Sequence, residues 1–114
     1  ITYPVNQDRL DIFTRFLDPA GLEPQEVRTT DLTLMMLQLV ASGRGIAALP
    51  NWALDEYLQK DYVTSRPIGE RGIWSTLYAA VRTEQENAEF MLDFLETAKE
   101  VSFRNLAGIK AAAT

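Results

Sequence analysis

Leu39-Val40-Ala41-Ser42-Gly43-Arg44-Gly45-Ile46-Ala47-Ala48-Leu49-Pro50 is the stretch that decides the fold. Its first half closes an apolar run from Leu32, with Leu34, Met35, Met36, Leu37, Leu39 and Val40 on nearly every side of a helix beginning at Thr30 or Asp31. A helix of that kind is expected to be buried over most of its surface. Gly43 falls where a left-handed C-terminal cap belongs. Residues 45–49 then form a short unbroken apolar run, as expected of a strand covered on both faces. Pro50 ends it, and Asn51 is placed to cap a helix through Trp52, Leu54, Tyr57 and Leu58.

The same alternation extends in both directions. Residues 1–5 read as a strand ending near Pro4. Asn6 or Asp8 then caps a helix carrying Leu10, Phe13, Phe16 and Leu17, which Asp18-Pro19-Ala20-Gly21 stops. Residues 26–29 and 62–66 read as short strands and 73–81 as a longer one. Thr83 and Glu86 have capping-box spacing before a last helix with Met91, Phe94, Leu95, Ala98 and Val101 on one face. Strands alternating with helices across short connections imply an α/β fold with a mostly parallel sheet. The final strand and helix are expected as an antiparallel addition.

Composition narrows the function. The chain has 114 residues, 46% of them apolar, enough for about one domain. Its net charge of −5 argues against gripping a phosphate backbone, which needs clustered Lys and Arg. There is no cysteine and no histidine, so disulfides and thiolate zinc sites are excluded and the usual general base is missing. Catalysis is therefore not expected, and no metal or cofactor is implied. Ser42, Ser65, Ser75 and Ser102 lack an evident activating base. No signal peptide or membrane span is apparent, since the longest apolar stretch is too short to cross a bilayer. An opening Ile and a C-terminal run ending Ala111-Ala112-Ala113-Thr114 read as a piece of a longer chain with a loose tail.

In open α/β sheets, ligands bind beyond the carboxyl ends of the strands. Three junctions converge there: residues 5–8, 29–33 and 50–52. The second is the richest chemically. Thr29, Thr30, Asp31 and Thr33 bring hydroxyls and one carboxylate to a helix N-terminus, whose free N–H groups attract anions. An amino acid suits it, with its carboxylate on the N–H and threonine donors and its ammonium on Asp31. Asp31 as a plain helix cap and Thr29 as a plain strand residue are the alternatives. Trp52 either walls a ligand cleft or fills space between helix and sheet. Met35-Met36 reads as core filler.

Residues 31–50, with their Val-Ala-x-Gly-x-Gly-Ile-Ala-x-Leu-Pro pattern, resemble the effector-binding domain of LysR-type transcriptional regulators. Residues 1–5, 9–12, 16–21 and 74–82 are similar to the branch of that family that controls methionine biosynthesis. The resemblance implies a periplasmic-binding-protein-like (type 2) lobe of three layers. Residues 1–82 would form the second lobe, and residues 83–107 a C-terminal helix that packs on a first lobe, with 108–114 as the tail. It implies a cytoplasmic homo-oligomer that senses homocysteine and reads DNA through a helix-turn-helix domain outside this stretch. Effector contacts carry over to Thr30, Asp31 and Thr33, and cleft residues to Leu49, Pro50 and Trp52. A lobe of an amino-acid solute-binding protein is the alternative, and a small α/β enzyme using the same helix N-terminus is a weaker one.

Overall fold

A computed structural model of the chain describes residues 1–113. They divide into two compact units, Ile1–Pro50 with Glu56–Ile73, and Asn51–Asp55 with the chain from Trp74 onward.

The first unit is organised around α1 (Thr33–Ala41). The helix ends as its sequence predicts. Gly43 takes φ 75°, its N–H donates to Val40 O at 3.0 Å, and Arg44 N–H reaches back to Leu39 O at 2.9 Å. These two bonds are the Schellman pair, and the positive φ that closes them suits glycine. Met36 and Leu37 point into the core, where Phe13 and Val63 join them. Burying a side chain such as Met36 stabilises by about 1.5–3 kcal/mol. Gln38, on the helix, accepts a hydrogen bond from Tyr62 Oη at 2.8 Å, and the Tyr57 and Tyr62 rings pack at a tilt with centroids 6.0 Å apart. Tyr57 lies on α2 (Asp55–Gln59), a single helical stretch that Lys60 closes through an ion pair with Glu56 at 2.7 Å.

Several expectations are corrected here. α1 is not buried on most of its surface: Leu32, Leu34 and Met35 are exposed, so one apolar side has no cover. The helix expected from Asn6 or Asp8 is broken. A 3₁₀ turn (Gln7–Arg9) precedes a widened π turn (Phe13–Leu17), in which Asp18 N–H bonds to Phe13 O across five residues. Pro19, which has no N–H to donate, ends it. Asn51 opens only a 3₁₀ turn (Asn51–Ala53).

The expected sheet is present only as its first contact. Thr2 and Thr29 form a parallel bridge, with Thr2 N–H on Arg28 O at 2.9 Å and Thr30 N–H on Thr2 O at 3.0 Å. On the other side, the Ile1 amino group donates to Ile46 O at 2.7 Å. Residues 1–3 thus lie between 28–30 and 46. No longer ladder forms among the described residues. Residues 62–66 and 73–81 carry no strand assignment among the described residues, because strand-forming side chains favour a pleated, half-covered surface and do not create one alone.

The second unit is built on α3 (Glu89–Asn105). The capping-box pair does not start this helix. Thr83 begins a separate 3₁₀ turn (Thr83–Gln85), and Glu86 Oε1 instead accepts from the Asn87 side chain at 3.5 Å. The covered stripe of α3 is Met91, Leu95, Ala98 and Ser102, each half-buried, whereas Phe94 and Val101 stand exposed. Ala79, Ala80 and Val81 lie across an apolar groove of about 520 Å³ from Phe90, Met91, Phe94 and Leu95. No residue of this unit is fully buried among those described.

Candidate functional site

Parallel pairing of residues 1–3 with 28–30 brings two chain segments to the same end of the first unit, where α1 begins. Helix N-termini leave backbone donors unsatisfied unless a side chain caps them. Here none does: α1 has Leu32 at its N-cap position and no side-chain cap hydrogen bond. The reading of Asp31 or Thr30 as the cap is therefore corrected. Leu32 intervenes because Thr30 Oγ1 accepts the Leu32 N–H at 3.4 Å, a local turn that delays the helix by two residues.

Four of the residues singled out by sequence gather at this end. Thr29 is exposed and belongs to the bridge. Thr30 is half-buried and bonded through its backbone to Thr2. Asp31 is exposed, with no hydrogen-bond or ion-pair partner among the described residues. Thr33 is half-buried as the first residue of α1. Pro50 is exposed at the end of its segment, with Leu49 half-buried before it. Trp52 is half-buried and belongs to the second unit, where its N–H donates to Asn51 Oδ1 at 3.0 Å.

Tyr3 joins this group without having been singled out. Its hydroxyl lies 2.6 Å from Thr33 Oγ1, the shortest tie between the first extended segment and α1. Each hydroxyl is both donor and acceptor, so the pair leaves one further acceptor and donor position toward a ligand. The clue was available, since Tyr3 sits at the carboxyl end of the first strand, where ligand-binding residues of such sheets concentrate.

A set of uncapped N–H donors, two threonine hydroxyls, a tyrosine hydroxyl and one unpaired carboxylate can hold both ends of a zwitterion. The chain has no histidine or cysteine. No cluster of three metal-ligating acids forms among the described residues. No helix among them is long and apolar enough to cross a membrane.

Residues 1–102 match the family model of the LysR substrate binding domain. The chain is 47% identical over 109 residues to the HTH-type transcriptional regulator MetR of Haemophilus influenzae, covering 96% of this chain and 35% of that one. It is 38% identical over 112 residues to MetR of Escherichia coli K12, covering 98% and 35%. Among solved structures, the regulatory domain of MetR, a LysR family regulator from N. meningitidis, superposes with a TM-score of 0.80 at 40% identity. That match covers 98% of this chain and 53% of the solved one. The chain thus spans about a third of the curated relatives and about half of the solved regulatory domain. The named relatives are transcriptional regulators, which does not favour the solute-transport reading. The chain belongs to the LysR substrate-binding-domain family.

Proposed function

We propose that this chain is the effector-sensing part of a LysR-family transcriptional regulator that controls methionine-biosynthesis genes in response to homocysteine. The uncapped start of α1, with Tyr3, Thr30, Asp31 and Thr33 around it, is the observation that carries this reading. The effector's carboxylate takes the α1 N–H groups and the threonine hydroxyls, and Asp31 pairs with its ammonium. Thr29 supports Thr30 through the bridge to Thr2, and Pro50 supplies an apolar wall for the side chain.

In the complete regulator, the extended runs pair into a mostly parallel sheet, for which the Thr2–Thr29 bridge supplies the first rung. Residues 83–107 pack on the first lobe, and DNA is read by the helix-turn-helix of the longer protein. The regulator acts in the cytoplasm as a homo-oligomer and carries out no catalysis. Effector binding in the cleft favours one arrangement of the lobes, which requires that it bind the two arrangements with different affinity.

Calorimetric titration of the complete two-lobe domain with homocysteine tests this. Saturable heat with a raised Tm supports it. No heat and no thermal shift at about millimolar ligand, where binding free energy falls to roughly −4 kcal/mol, counts against it.

A further inference from the structure

The end of α3 does not dissolve into a loose tail. Asn105 Nδ2 donates to Val101 O at 2.9 Å, and Leu106 N–H closes the helix on Ser102 O at 2.8 Å. Arg104 pairs with Glu100 on the same helix. The chain therefore leaves α3 in a set direction, and Leu106 and Ile109 are half-buried.

Two contacts within the second unit then pin it. Gly108, at φ 75°, lies flat against the Asn51 side chain: a Cβ there would overlap the Asn51 amide nitrogen and come within 2.7 Å of its Cγ. The Asn51 side chain is itself tied to the turn, because its Oδ1 accepts the Trp52 N–H at 3.0 Å. Two residues on, Lys110 Nζ stands 4.3 Å from the centre of the Trp74 ring, within cation–π range.

We propose that residues 106–110 form a latch that holds the Asn51–Ala53 turn, and with it Trp52, in a fixed conformation. Gly108 is a positioning residue that acts through Asn51, and Lys110 holds the strap down on Trp74.

The test uses the complete regulator and amide hydrogen exchange. Gly108→Ala displaces the Asn51 side chain and frees the Trp52 N–H, so exchange at Trp52 rises about fivefold, the loss of one hydrogen bond. Lys110→Ala keeps the backbone intact and raises it about threefold or less. Met36, in the α1 core, exchanges as before in both. Unchanged exchange at Trp52 in both variants overturns the latch, and so does an equal rise at Met36, which marks general loosening.

Discussion

The two units differ in how they use apolar residues. The first has an interior: Phe13, Met36, Leu37 and Val63 are buried, and they come from segments far apart in the chain. The second has apolar faces without an interior. Its 17-residue helix α3 buries no residue fully, and Leu77 and Tyr78 are 76% and 82% exposed on the run before it. Local pattern is similar in the two, since both have an apolar stripe beside an extended run. What separates them is whether a third element closes over the stripe, because burial, not patterning, supplies the free energy. In the first unit, Phe13 and Val63 are buried along with Met36 and Leu37.

Core substitutions should expose this difference most strongly. In the 114-residue chain, Met36→Ala is expected to lower stability by about 2–5 kcal/mol, the range for emptying a buried Met site. Phe94→Ala should change it by less than about 0.5 kcal/mol, as for a surface position. In the complete two-lobe domain, Phe94→Ala should rise to about 3 kcal/mol if chain from outside this stretch covers α3. Urea unfolding of both variants in both contexts measures this. A small effect of Phe94 in both would mean that α3 keeps its exposed face.

Within the first unit, Tyr3→Phe removes the one side-chain hydrogen bond between the first extended segment and α1. A loss of about 0.5–1.5 kcal/mol is expected, again by urea unfolding. Gly43→Ala should cost about 1 kcal/mol, since the Schellman turn needs positive φ there.

The smallest effect concerns α2. The Lys60 ammonium beside Glu56 holds its carboxyl below the usual carboxylate range, first by hydrogen bonding and then by charge. A depressed acid favours the folded state above its ordinary pKa and loses that advantage as pH falls through the lowered one. Both groups are fully exposed, so the contribution is slight. Any stability difference between the native chain and Glu56→Gln should be present at neutral pH and vanish by about pH 3. Thermal unfolding across that range follows it.

Much of the first unit was legible in sequence, because its signals are local. The α1 stop at Gly43 follows from one residue's backbone freedom. The capping details were not legible. Thr30 competes for the Leu32 N–H, and Asn87 for Glu86, and such choices between neighbouring acceptors turn on a few tenths of an ångström. Sheet extent was not legible either. A strand needs a paired neighbour as well as a propensity, and propensity alone does not show how far a ladder runs. For the candidate site, residue types at a junction are what single out 29–33 for the proposal. Tyr3 was missed because its contribution depends on contact with Thr33, 30 positions away.

Sensing itself is tested most directly by titrating homocysteine into the two-lobe domain beside its Asp31→Ala variant. Asp31 has no partner here, so the substitution should leave Tm within about 1 °C while weakening homocysteine at least about tenfold, the loss of a charge-assisted contact. Equal affinity in the two proteins, or no binding by the unsubstituted domain, would contradict the account.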